Sequence, residues 1–125
     1  RPSSGHLALG IQGERAAARY LRRHRYRILA RNYRCVAGEI DLIASQAATI
    51  VFVEVKTRQP DEEQSDRLPV HSEQRGRIGR AARYFMTHPA AADRPYRFDV
   101  ISVAFSSHGK PQIEHYEDAF QPGRS

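Results

Sequence analysis

Lysine is nearly absent from a chain rich in positive charge: of twenty basic residues among 125, only Lys56 and Lys110 are lysine and the rest are arginine. Tryptophan is missing altogether, and cysteine and methionine occur once each. The single Cys35 excludes an internal disulfide and any cysteine-rich zinc site, and it fits a reducing compartment, so a cytoplasmic location is the default expectation. No apolar run approaches the roughly 20 residues that span a bilayer, and no short apolar segment after a basic start reads as a secretory signal. Acids are outnumbered 14 to 20, which leaves a formal net charge of +6. That excess favours an anionic partner, nucleic acid first; an acidic membrane surface is a weak second, and no membrane partner is expected. At this length a single domain, 1–125, with one core is expected.

Hydrophobic periodicity divides the chain into seven elements. Residues 7–24 read as a helix, with Ala17, Ala18 and Leu21 on one stripe and arginines on the wet side. Three strands follow, Tyr26 to Cys35, Glu39 to Ala44 and Thr49 to Thr57, joined by turns short enough for an antiparallel meander. Residues 58–71 are polar, carry Pro60 and Pro69 and lack periodicity, so a long flexible loop is expected there, leaving directly from Lys56. Ser72 to His88 reads as a second helix with an apolar stripe of Ile78, Ala81, Ala82 and Phe85, ended by Pro89. Tyr96 to Phe105 and Gln112 to Tyr116 read as the last strands, before a polar tail over 117–125. The order helix, three strands, helix, two strands describes an α/β fold on a mixed sheet of about five strands.

Charges interrupt two of these strands. Side chains alternate faces along a strand, so Glu54 and Lys56 point the same way as Ile50 and Phe52, while Val51, Val53 and Val55 cover the other face. A strand apolar on both faces is central, and charges buried there need each other, a cation or an anion. Asp41, on the face of Glu39 and Ile43, would lie beside Glu54 and Lys56 in the hairpin. Glu14 falls on the buried stripe of the first helix, three residues before Ala17 and seven before Leu21. Two carboxylates with a carbonyl oxygen make a hard oxygen nest suited to Mg2+ or Mn2+, which can activate water for attack on phosphorus. Lys56 could orient or deprotonate that water, or neutralise charge developing on phosphate oxygens.

The same pattern also suits a structural ion cluster at a sheet edge. Glu39, beside a turn, suits solvent but could join the site, and Asp99 suits a structural bond to backbone or an arginine. Arg75, Arg77, Arg80 and Arg83 line the second helix and could contact phosphates or simply face water. Gly10 and Gly13 form no phosphate-cradling loop, and the six histidines lack metal-ligand spacing.

Taken together, Gly13-Glu14, Arg31-Asn32-Tyr33-Arg34, residues 38–43 (GEIDLI), residues 51–56 (VFVEVK) and Arg97-Phe98-Asp99-Val100 resemble the bacterial YraN, or UPF0102, family of endonuclease-like proteins. That family is similar to archaeal Holliday junction resolvases and has the restriction-endonuclease-like, PD-(D/E)xK fold, a core sheet flanked by helices. The resemblance implies Asp41, Glu54 and the Val55 carbonyl as metal ligands, Lys56 as the water-positioning group and Glu14 as the helix-borne acid. Arg34, Arg75, Arg77 and Arg80 are the candidate nucleic-acid contacts. One departure is at 74–77, where similar sequences carry Lys before Gln or Arg and this chain has Gln74-Arg75-Gly76-Arg77; it puts a basic contact at Gln74 in doubt and is expected to leave the metal site untouched.

The leading expectation is a metal-dependent nuclease that hydrolyses phosphodiester bonds in DNA, branched or otherwise structured. A homodimer would supply paired cuts. The alternative is a nucleic-acid-binding or partner-binding module that keeps the fold without cleaving.

Overall fold

The computed structural model describes residues 4–59, 70, 72–107 and 109–122. The elements occur in the expected order: α1 Ser4–Arg23, β1 Arg27–Cys35, β2 Gly38–Gln46, β3 Thr49–Arg58, α2 Ser72–Phe85, β4 Tyr96–Ala104 and β5 Gln112–Tyr116. Helix α2 stops three residues short of His88, because the Thr87 and His88 N–H groups tighten onto the Tyr84 and Phe85 carbonyls, both at 3.1 Å, ahead of Pro89. Most of the expected loop 58–71 lies outside the described residues; of its ends, Arg58 closes β3 and Val70 is buried in the core.

The five strands form one mixed sheet in the order β1-β2-β3-β4-β5. The meander β1, β2, β3 is antiparallel, α2 carries the chain across to β4 parallel to β3, and β5 returns antiparallel. Strand β3 is therefore central and buried on both faces, as a parallel pair between two helices must be. On one face Ile50, Phe52, Phe98 and Val100 pack with Ile78, Ala81 and Ala82 of α2. On the other, Val51, Val53, Ile101 and Val103 pack with Ala17, Ala18 and Leu21 of α1. Among the described residues no helix is long and apolar enough to cross a membrane.

The outer hairpin departs from strict alternation. Ile40 and Ile43 both join the α2-side cluster, whereas Leu42 and Ala44 join the α1-side cluster. Residues three apart share a face only where the pleat is interrupted. The interruption falls at Asp41, opposite Asn32 of β1, whose backbone is left-handed with φ 48°. Asparagine tolerates that conformation better than most residues, which localises the kink there. At the hairpin's turn, a Cβ on Gly38 would overlap the Arg77 carbonyl, so the absence of a side chain lets α2 sit against the meander.

Asp99 is fully buried on the α1 side and takes four donors: Arg97 Nε at 3.0 Å, Arg97 Nη2 at 3.2 Å, His115 Nε2 at 2.7 Å and the Asp118 N–H at 2.9 Å. Its expected structural role holds, with His115 as a partner not foreseen. Burial alone would raise its pKa, but the hydrogen bonds from His115, Arg97 and Asp118 outweigh that and leave it lowered. The expected polar tail is corrected in part: the Ala119 N–H donates to the Phe98 carbonyl at 2.7 Å, and Phe120 is buried with the α2-side core.

Two outcomes follow. Gly38→Ala forces α2 away from the turn and is expected to lower stability by about 1–3 kcal/mol in urea unfolding, the usual cost of overpacking. Asp99→Asn leaves a partly buried arginine and histidine short of their charged acceptor and is expected to cost about 3 kcal/mol near neutrality. A lowered carboxyl contributes stability above its unfolded pKa and loses it as pH falls, so the gap between wild type and Asp99→Asn in pH-dependent melts should narrow in acid.

Candidate functional site

Pairing between β2 and β3 extends only to Leu42 opposite Val53. Beyond that point the strands splay, and the Val55 N–H is met by the Asp41 carboxylate, Oδ2 at 2.8 Å. The splay opens a polar cleft of about 200 Å3, lined by Glu14 of α1, Asn32 and Arg34 of β1, Glu39 and Asp41 of β2, Glu54 of β3, and Gln74, Arg77 and Ile78 of α2. Helix α1 reaches the same end of the sheet because Gly13, buried, lies against the Thr57 side chain where a Cβ would overlap it. A larger cavity of about 450 Å3, beside Val70, Tyr116 and Phe120, contains neither these acids nor Lys56.

Three of the four side chains singled out from sequence, Glu14, Asp41 and Glu54, line this cleft. Lys56 stands beside them, its Nζ 3.4 Å from Glu54 Oε2. Strict alternation, expected to aim Asp41, does not hold through the kink, yet Asp41 still meets Glu54, with which it shares a hydrogen bond. Burial first, then the Asp41 charge, pushes the Glu54 carboxyl up to about 8, with Lys56 opposing. Burial also raises Asp41, against the Val55 N–H and the Glu54 hydrogen bond, which lower it. Between the two, the proton is favoured on Glu54, with Asp41 accepting. Glu14 is raised by burial and by the Asp41 charge, while a hydrogen bond from Asn32 works the other way. Among the described residues no three His, Cys, Asp or Glu side chains converge closely enough to hold a metal ion alone.

Gln74 corrects the expectation that the departure in α2 leaves the acidic site untouched. Its Nε2 donates to Glu54 Oε2 at 2.9 Å, and its Oε1 accepts from Lys56 Nζ at 3.1 Å. One amide therefore fixes the acid and the base together. The signal was present in the spacing, since Gln74 precedes Ile78 by four and Ala81 by seven and so continues the buried stripe of α2. Asn32 was also passed over, although it stands opposite Asp41 in the hairpin and bonds Glu14.

The arginine candidates separate. Arg34 and Arg77 border the cleft, and Arg34 Nε lies 3.5 Å from the exposed Glu39. Arg80 Nε donates to the Ala37 carbonyl at 3.1 Å and supports the β1–β2 turn. Arg75 Nε donates to the Val70 carbonyl at 2.8 Å, and its side chain lines the larger cavity rather than the cleft.

Fold and cleft together define an α/β domain with a cluster of partly buried acids and one lysine where β2 and β3 part. The family described as "Uncharacterised protein family UPF0102" matches residues 13–103, and the chain belongs to it. The matched span includes Glu14, Asp41, Glu54, Lys56 and Gln74. The chain is similar to a UPF0102 protein of Geobacter metallireducens, 47% identical over 91% of this chain and 93% of that one. A UPF0102 protein of Geobacter sulfurreducens is 43% identical over 90% and 88% of the two chains. One of Chlorobium phaeobacteroides is 42% identical over 95% and 98%.

Because the Glu54 carboxyl in the folded chain lies at about 8, above its ordinary 4.5, the folded state holds that proton more tightly than the unfolded state. Its contribution is whole below the unfolded pKa and is lost as pH rises through about 8. In EDTA, the melting temperature of wild type is expected to fall from about pH 5 to about pH 9 more steeply than that of Glu54→Gln. Parallel curves would mean that Glu54 carries no such proton.

Proposed function

We propose that the cleft is a divalent-metal-dependent nuclease site acting on DNA phosphodiester bonds, built on a restriction-endonuclease-like fold. The observation that carries the reading is the pairing of Asp41 with Glu54 where β2 and β3 part, with Lys56 on the face of Glu54 and bonded to the same amide. Two carboxyls pushed toward protonation by burial, with the charge of one raising the other, have the electrostatic need that a small dication meets. Oxygen donors alone suit Mg2+ or Mn2+. Asp41 and Glu54 would hold the ion together with the Val55 carbonyl, whose N–H partner already faces Asp41 and which, in an extended strand, shares that edge. The ion would supply Lewis-acid stabilisation of the phosphate and an activated water nucleophile.

The chain's own residues would then divide the remaining work. Lys56, held in place by Gln74, would orient the attacking water or neutralise charge developing on the phosphate oxygens. Glu14 adds a carboxyl from the α1 layer and would orient water at the margin of the site. Arg34 and Arg77, at the rim, would receive the polymer's phosphates, consistent with the net charge of +6. A four-way junction is the shape the family resemblance suggests, and paired cuts there would use two copies of the chain.

A second reading, a binding module that does not cleave, is favoured by one observation: Gln74 already satisfies Glu54 and Lys56 together. Labelled single-stranded, duplex, flap and four-way-junction DNA, each with Mg2+, Mn2+ or EDTA, decides between them. Cleavage that depends on the ion and falls at least about 100-fold in Asp41→Asn and in Lys56→Ala is expected. Identical behaviour of wild type and both variants, with no ion-dependent product on any substrate, would leave the binding module as the account.

A further inference from the structure

Lys110, one of the chain's two lysines, has no part in the cleft. It stands between β4 and β5 and faces α1 across a groove of about 230 Å3, whose opposite wall includes Arg19, Tyr20 and Arg23 of α1 and His24 of the turn after it. Four basic groups from two separate elements thus line one groove, and no carboxylate does. The His24 ring donates through Nδ1 to the Tyr20 carbonyl at 2.8 Å, which leaves Nε2 for another partner.

The groove ends a longer feature. Arg15, Arg19, Arg22 and Arg23 are exposed and recur at four and three residue spacing, so they occupy an arc of about 100° pointing away from buried Ala17 and Leu21. The stripe begins one residue after Glu14 and extends about 12 Å to Arg23, the axial rise of three to four nucleotides of one strand. Between Glu14 and Glu39 the chain holds eight arginines and no acid. Among the described residues, only Arg34 of the eight makes an ion pair with a carboxylate. Like charges gathered without counter-charge repel one another, and a polyanion relieves that repulsion.

We infer that this α1 face, with Lys110, is a second phosphate-binding surface that holds a nucleic-acid backbone away from the cleft. A bilayer is the poorer occupant: among the described residues the one large apolar side chain exposed on α1 is Ile11, a turn before the stripe, and interfacial helices need a broad apolar face. The inference rests on the proposed function for the class of polymer, but it needs no hydrolysis.

The test is binding of the full chain to labelled duplex and single-stranded DNA in EDTA, from about 50 to about 200 mM salt. Arg19→Gln, Arg23→Gln and Lys110→Gln are combined in one variant; all three side chains are exposed, and a circular-dichroism melt checks that the fold is kept. The variant is expected to lose affinity at least about tenfold at the low-salt end, with a salt dependence shallower by about three charges. Unchanged affinity and slope overturn the inference, as does failure of wild type to bind either polymer. Vesicles rich in anionic lipid and inorganic phosphate alone are the remaining arms. Loss of vesicle binding in the variant with DNA binding intact overturns the nucleic acid in favour of a membrane, and saturation by phosphate as tight as by polymer overturns the polymer. A wild type that binds through this face but cleaves nothing removes the nuclease reading and leaves the surface; cleavage with a variant that binds normally does the reverse.

Discussion

The Val55 N–H is the point on which this molecule turns. It should have a ladder carbonyl on β2, but pairing ends at Leu42 and Val53, and the Asp41 carboxylate takes its place. A side chain standing in for backbone fixes both strands at the place where they part. Without that bond the splay would expose an unsatisfied donor beside the core, at a cost of about 1–3 kcal/mol. With it, the sheet opens toward a polar cleft, and Glu54 and Lys56, beyond the last pair, both reach Gln74 of α2 while Glu54 also keeps its bond to Asp41.

Two kinds of buried carboxyl show what distinguishes this cleft from ordinary structure. Asp99 is saturated by donors from Arg97, His115 and Asp118 and stays ionised. Asp41 and Glu54 are only partly buried, yet in the balance of burial, repulsion and partners they are driven toward protonation. An acid that has all its bonds is framework. An acid left short of positive charge can act on something that supplies it.

Much of the fold was legible because it rests on periodicity. Alternation in Val51, Phe52, Val53 and Glu54 marked a central strand, and the stripe of Ala17, Ala18 and Leu21 marked the face α1 buries. From these the layers and the meeting of Asp41, Glu54 and Lys56 could be anticipated, since adjacent strands of a meander leave little freedom. What escaped depends on geometry between elements. Gln74 is an unremarkable residue on a helix until α2 sets it between Glu54 and Lys56. The kink at Asn32 reflects one left-handed backbone angle that no pattern of hydrophobicity encodes. Phe120, in a polar stretch, was read as tail because a lone aromatic carries no period.

Strand β1 has consequences for how copies of this chain meet. It lies at the rim of the sheet, where unpaired backbone groups invite another chain to add a strand. Its run is broken twice, by a register shift between Ile28 and Ala30 and by the left-handed Asn32. Arg27, Arg31 and Arg34 project exposed from it, so two such rims drawn together would set guanidinium against guanidinium while their hydrogen-bonding patterns fell out of step. The arginine that gives this chain its charge thereby also protects it from stacking edge to edge into aggregates.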